Sequence, residues 1–167
     1  KLLHQYIEDF SLIYHDKTAI ICSDSNLTYQ ELNERSNQLA HLLISRYCIK
    51  SGSLVVICIE RSELSIVAIL AVMKAGAAYI VIEQKYCSPE YIISTVERVN
   101  TIAIICDYAS ENNFVKYSKL VINYHECNLD DYSKNNLINR ASINDIACVF
   151  STSGTTGTPK LIPLSHY

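Results

Sequence analysis

An α/β fold, a mainly parallel β-sheet flanked by helices, is what this sequence predicts, on three observations. Uninterrupted apolar runs recur at residues 54–59, 78–82 and 102–106, the pattern of strands buried on both faces of a parallel sheet. Helical segments with recognisable start and stop residues alternate with them: residues 62–75 close on Gly76, and Ser88-Pro89 opens the next. The spacing of strand, helix and strand across 54–82 is that of a βαβ unit, which crosses over right-handedly. A chain of 167 residues, 49% hydrophobic, is long enough for one domain with a real core.

Each element has its own justification. Leu3, Tyr6, Ile7 and Phe10 recur at helical spacing, which predicts an amphipathic helix over residues 2–14 with these side chains inward. Residues 18–22 read as a short buried strand and 24–26 as the turn after it. Thr28 and Glu31 have the spacing of a capping box, so a helix opens there and runs to about Arg46. Leu32, Leu39, Leu42 and Leu43 would face the core, with Glu34, Arg35 and Gln38 toward water. After the strand at 54–59, Glu60-Arg61-Ser62 makes a turn into the helix that ends at Gly76, placed where a C′ glycine belongs. Ser88 as cap and Pro89 at the first helical position start a helix to about Val99. Further strands follow at 120–122 and 146–150. Between them, residues 123–144 are rich in Asn, Asp, Ser and Tyr without a period, and read as a solvated surface excursion.

Composition excludes several classes. A net charge of −3 with scattered basic residues leaves no electrostatic footprint for nucleic acid. The apolar stretches are broken by charge before they reach bilayer length, so no membrane role is expected. The seven cysteines are spread along the chain without a C-x-x-C pair and read as buried, reduced thiols of a cytoplasmic protein. His125, Glu126 and Cys127 are adjacent, but consecutive ligands rarely converge on one ion, and no metal site is assigned.

The chemistry concentrates in Ser151-Thr152-Ser153-Gly154-Thr155-Thr156-Gly157-Thr158-Pro159-Lys160. Of only four glycines in the chain, two fall inside this decapeptide. Lacking a Cβ, they can take positive φ, which lets successive backbone N–H groups turn inward as an anion-binding nest. The hydroxyls add donors and Lys160 a positive charge. A flexible linker has a similar composition, but a linker needs neither the apolar run before the decapeptide, nor its Pro-Lys ending, nor the apolar run 161–164 after it. The Walker A loop is excluded, because it has four residues between its glycines and ends in Gly-Lys-Ser/Thr.

The decapeptide resembles the phosphate loop of the adenylate-forming superfamily: acyl-CoA synthetases, luciferases and the adenylation domains of nonribosomal peptide synthetases. Leu161 stands where that family usually has glycine. Leu27-Thr28-Tyr29-Gln30-Glu31-Leu32 with Asn33, Asn37, Leu39 and Ala40 is similar to the first motif of peptide-synthetase adenylation domains. Glu60-Arg61-Ser62 and residues 66–79, with Lys74-Ala75-Gly76-Ala77-Ala78-Tyr79, resemble the second, which acyl-CoA synthetases usually lack. Beyond Tyr79 the family's prolines are replaced: Val81, Gln84 and Cys87 stand in the stretch, while the acid is kept as Glu83, which implies the same fold with a looser loop.

The resemblance implies that residues 1–167 are the N-terminal portion of an AMP-binding adenylation domain, a partial N-terminal subdomain of an adenylate-forming enzyme. Both ends look cut, with a helix expected to begin at Ser165-His166-Tyr167. The parent would activate a carboxylic acid, most simply an amino acid, with ATP and Mg2+, and pass it to the phosphopantetheine of a carrier protein. Thr152, Ser153, Gly154, Thr155, Thr156, Gly157 and Lys160 would bind the ATP phosphates. Catalytic residues, magnesium ligands and the acyl pocket would come from the C-terminal remainder, beyond Tyr167, so this piece alone would be inactive. An acyl-CoA or aryl-acid ligase, or a non-catalytic remnant, remain the alternatives.

Overall fold

The computed structural model describes residues 1–23, 25–111, 114, 120–152 and 160–167. Its centre is a six-stranded sheet of order β6-β5-β3-β4-β7-β8. The strands are β3 (Leu54–Cys58), β4 (Ala78–Val81), β5 (Ala103–Cys106), β6 (Leu120–Asn123), β7 (Ile146–Thr152) and β8 (Lys160–Ser165). β6, β5, β3, β4 and β7 are parallel neighbours, and β8 closes the edge antiparallel to β7. A separate antiparallel pair joins β1 (Thr18–Ile21) to β2 (Asn26–Thr28). The expected turn there includes Asp24, which lies outside the described residues.

Alternation along the strands divides the core in two. Val55 and Ile57 point to the face covered by α1 (Leu3–Ile13), α2 (Tyr29–Ser45) and α3 (Glu63–Lys74), whereas Val56 and Cys58 point to the face covered by α4 (Pro89–Arg98). β3 is thus buried on both sides, as its unbroken apolar run requires. Each such valine or isoleucine, withdrawn fully from water, contributes about 1.5–3 kcal/mol.

The helix ends follow the sequence signals. Thr28 Oγ1 accepts from Glu31 N at 3.2 Å while Glu31 Oε2 accepts from Thr28 N at 2.9 Å, the reciprocal bonds of a capping box. Ser88 Oγ accepts from Tyr91 N at 3.2 Å, with Pro89 at the first helical position. At the end of α3, Gly76 takes φ +81, its N–H donates to Met73 O and the Ala77 N–H donates to Val72 O. A Cβ here would lie 2.9 Å from the Arg140 Cβ, so the position needs glycine for space as well as for conformation.

Several expectations need correction. α1 is rotated from its predicted orientation: His4 and Ser11 are buried and Ile7 packs on the core, while Leu3, Tyr6 and Phe10 are exposed. β1 is not a buried strand, since Ile21 is exposed and only Ala19 and Ile20 rest on the core. Gln38 is buried, because its Nε2 donates to the Leu129 carbonyl at 2.8 Å. Residues 123–144 are mostly exposed, in keeping with a solvated surface excursion. They contain short 3-10 turns at Tyr124–Glu126 and Leu129–Asp131 and lie along α2, which binds them through Asn33, Asn37 and Gln38. Of the seven free cysteines only Cys58, Cys106 and Cys148 are buried, and Cys48 is exposed. Burial pushes the Cys106 thiol up to about 12.

The helix expected to begin at Ser165-His166-Tyr167 is also corrected, because the ladder to β7 carries strand structure through Ser165, opposite Ile146. His166 is buried and donates its N–H to the Asp145 carbonyl at 3.2 Å. Tyr167 follows outside any helix or strand, with its N–H donated to Ser165 Oγ at 3.3 Å and its ring exposed. Among the described residues no helix is long and apolar enough to cross a membrane.

Candidate phosphate-binding site

β7 runs parallel to β4, so its end points the same way as the ends of β3, β4 and β5. The carboxyl ends of parallel strands are where open α/β sheets present ligand sites, because the chain turns there into loops and helix N-termini. β7 ends at Thr152, which pairs across the ladder with Lys160, the first residue of β8. Two of the residues singled out in the sequence are therefore brought side by side at this end of the sheet, and Lys160 is exposed. Ser153, Gly154, Thr155, Thr156 and Gly157, with the rest of 153–159, lie outside the described residues. Tyr167 lies at the other end: β8 runs antiparallel to β7, so the chain leaves the sheet beside Ile146, where β7 begins.

Polar side chains fasten the neighbouring strand ends. Past β3, Arg61 donates through Nε and Nη2 to Glu83 Oε1 at 3.1 and 2.8 Å, which ties the turn after β3 to the one after β4. The Arg61 guanidinium is fully solvated and its charge is screened by water, so the bond orients more than it stabilises. With it, the segment that lacks the family's prolines forms an ordered 3-10 turn, Gln84–Tyr86, rather than an open loop. Past β5, Asp107 Oδ2 accepts the Glu60 N–H at 2.8 Å. Under β7, burial and the adjacent Cys148 thiol push the Tyr79 hydroxyl up to about 12, so it stays protonated.

A second polar centre lies behind the sheet, and sequence reasoning missed it. Lys74, in the last turn of α3, is 2% exposed. Its ammonium donates to Asn33 Oδ1 and Asn37 Oδ1, each at 2.6 Å, and reaches the Asn33 carbonyl at 3.4 Å. Burial lowers the Lys74 pKa to about 8, opposed by the Glu8 carboxylate. Asn33 and Asn37 donate in turn to Asn136 Oδ1 at 2.9 Å, and Asn37 also to the Lys134 carbonyl at 2.7 Å. The stretches 27–40 and 66–79, each resembling a separate family motif, are thus two halves of one contact. The readable signal was the i, i+4 spacing of Asn33 and Asn37, which sets both amides on one helix face.

His125, Glu126 and Cys127 do not converge: the His125 ring stacks on Tyr108 with centroids 4.9 Å apart, and Cys127 Sγ donates to the Asn123 carbonyl. Among the described residues no three His, Cys, Asp or Glu side chains gather as a metal site.

Comparison with known proteins gives this geometry a family. The family model described as AMP-binding enzyme matches residues 8–167. Tyrocidine synthase 1 of Brevibacillus parabrevis is 36% identical over 169 residues, covering 99% of this chain and 15% of that protein. N-(5-amino-5-carboxypentanoyl)-L-cysteinyl-D-valine synthase of Amycolatopsis lactamdurans is 32% identical over 168 residues, covering 99% and 5% respectively. The N-terminal subdomain of Klebsiella oxytoca NpsA, solved in complex with 3-hydroxybenzoyl-AMSN, superposes with a TM-score of 0.85 at 26% identity, covering 99% of this chain and 41% of that one. The chain spans under half the length of each. It belongs to the AMP-binding enzyme family and resembles the adenylation domains of nonribosomal peptide synthetases.

Proposed function

We propose that residues 1–167 form the N-terminal portion of an ATP-dependent adenylation domain that activates an amino acid for nonribosomal peptide synthesis. In this reading a carboxylate oxygen of the acid attacks the α-phosphorus of ATP, the bond to the bridging oxygen breaks, and pyrophosphate leaves as the acyl-adenylate forms. The phosphopantetheine thiolate of a carrier protein then attacks the acyl carbonyl and releases AMP. Thr152, Ser153, Gly154, Thr155, Thr156, Gly157 and Lys160 grip the β- and γ-phosphates, so that the leaving pyrophosphate is held in line and its charge offset. The remainder of the protein, beyond Tyr167, supplies the groups for adenine, ribose, magnesium and the acid.

The reading is supported above all by one observation: Thr152 and Lys160, which flank the glycine- and hydroxyl-rich stretch in sequence, pair at the carboxyl end of a parallel strand. The sheet edge can hold only one end of a nucleotide, which is why this piece by itself is expected to be inactive. An aryl acid is the second reading, favoured by the 3-hydroxybenzoyl-AMSN complex of the NpsA subdomain. The test is ATP–pyrophosphate exchange by the full-length protein against the common amino acids and a set of benzoic acids, with residues 1–167 alone as a parallel sample. Exchange dependent on one amino acid, and none by the isolated piece, is the expected result. Exchange confined to an aryl acid selects the second reading, and an intact protein that responds to no acid selects the non-catalytic remnant.

A further inference from the structure

The strand that launches the phosphate loop is weakly held where it matters. Among the described residues β7 pairs with β4 at Tyr79–Cys148, whereas its ladder with β8 runs on through Phe150–Ile162 and Ser151–Leu161 to Thr152–Lys160. The loop end of this hairpin therefore projects past its parallel neighbour. Packing beneath it is incomplete: a cavity of about 220 Å³ opens between Tyr79, Cys87, Tyr91, Val149 and Ser151, and Phe150 is 53% exposed. Val149 and Leu161 rest on the α4-side core but are only partly buried there.

Among the described residues, a polar contact from α4 crosses this gap. The Tyr91 hydroxyl and Ser151 Oγ lie 2.7 Å apart, joining residues 60 positions apart in sequence. Tyr91 is a rigid anchor. Its own N–H is held by the Ser88 cap, Pro89 fixes the first helical position, and α4 is seated by buried Ile92, Thr95 and Val96. Ser151 is one residue before Thr152 and two before Ser153, so a shift at Ser151 is transmitted directly to the start of residues 153–159.

We propose that Tyr91 is a positioning residue for phosphate binding, its hydroxyl latching Ser151 so that β7 delivers the loop at the angle its backbone donors need. This rests on the phosphate-loop reading given above. Tyr91 touches no substrate. It acts through Ser151, and its loss weakens the hold on ATP and pyrophosphate without altering the acid's own site. A neutral hydrogen bond contributes about 1 kcal/mol, which corresponds to a change of about fivefold.

The test uses the full-length protein with Tyr91→Phe, Ser151→Ala and the double variant. KM for ATP, KM for the acid and kcat are taken from pyrophosphate exchange, and ATP affinity independently from the ATP-induced shift in Tm. The expected result is an ATP KM raised about fivefold in each single variant, no further rise in the double variant and an unchanged KM for the acid, the non-additivity marking one shared contact. A lower Tm with unchanged ATP KM, or single effects that multiply in the double variant, overturns the latch. Should Tyr91→Phe fold poorly, Ser151→Ala and its pairing with the wild type still decide the point. If the wild type binds ATP but exchanges pyrophosphate with no acid, the adenylation reading falls, and weakened ATP binding in the variants still supports the latch. If the wild type does not bind ATP, both fall.

Discussion

A buried ammonium must replace its lost hydration with oxygen partners, and Lys74 does so with two asparagine side chains and a carbonyl rather than with a carboxylate bond. Removing one partner leaves the charge undersupplied. Asn37→Leu is therefore expected to lower unfolding free energy by about 2 kcal/mol in urea titration, the range for hydrogen bonds to charged groups, and more than Gln30→Leu on the exposed side of α2. His4 lies next to this charge. Burial, then Lys74, then His166 lower its pKa from 6.5 to about 4, and its Nδ1 has no hydrogen-bond partner among the described residues. Between pH 6.5 and about 4 the unfolded chain binds a proton that the folded chain refuses, so stability is lost as pH falls through that window and the loss is complete below it. The full contribution is about 3 kcal/mol. His4→Leu should flatten the acid limb of a stability–pH profile between pH 6.5 and 4, and an unchanged slope would show that His4 is not the group responsible.

At the scale of elements, Gly76 shows how tightly α3 and the segment 123–144 are built together. An alanine there must adopt a φ near +81 and push its Cβ into Arg140. Gly76→Ala is therefore expected to destabilise by about 1–3 kcal/mol, read as a lower urea midpoint, whereas Gly52→Ala, with open space around it, incurs only the conformational part. The Thr28–Glu31 capping box, the Ser88 cap and the glycine stop were legible in the sequence because they are local: the residues that satisfy the helix ends are neighbours in the chain. The orientation of α1 was not. Its apolar spacing selects Leu3, Tyr6 and Phe10, yet the face turned inward carries His4 and Ser11, with His4 beside the buried Lys74 charge. Local periodicity does not register a polar group that arrives from another helix. Gln38 was misplaced for the same reason, since its partners on residues 129 and 132 are far away in sequence. The helix expected at Ser165 to Tyr167 gave way to β8, whose strand partners lie across the hairpin on β7. Tyr91 was passed over because nothing near it in the chain reveals Ser151.

At the scale of the whole molecule, the proposed nucleotide chemistry belongs to one end of one sheet. β3, β4, β5 and β7 all point their carboxyl ends that way, with the Arg61–Glu83 and Glu60–Asp107 bonds fastening three of the connections. The proposed phosphate loop was readable as a composition, two scarce glycines among hydroxyls, while the place of its flanking residues Thr152 and Lys160 at the edge of the parallel layer needed the strand order. The central claim is that the backbone of this loop grips phosphate. It is tested most directly by pyrophosphate exchange in the full-length protein bearing Gly154→Val or Thr158→Ala. A branched side chain at Gly154 denies the backbone the conformations an anion nest requires, whereas Thr158→Ala removes a single hydroxyl. Gly154→Val is expected to lower exchange by about 100-fold or more and Thr158→Ala by about tenfold or less, on the scale of lost transition-state donors. Equal rates in the two variants, or exchange undiminished by Gly154→Val, would contradict the claim.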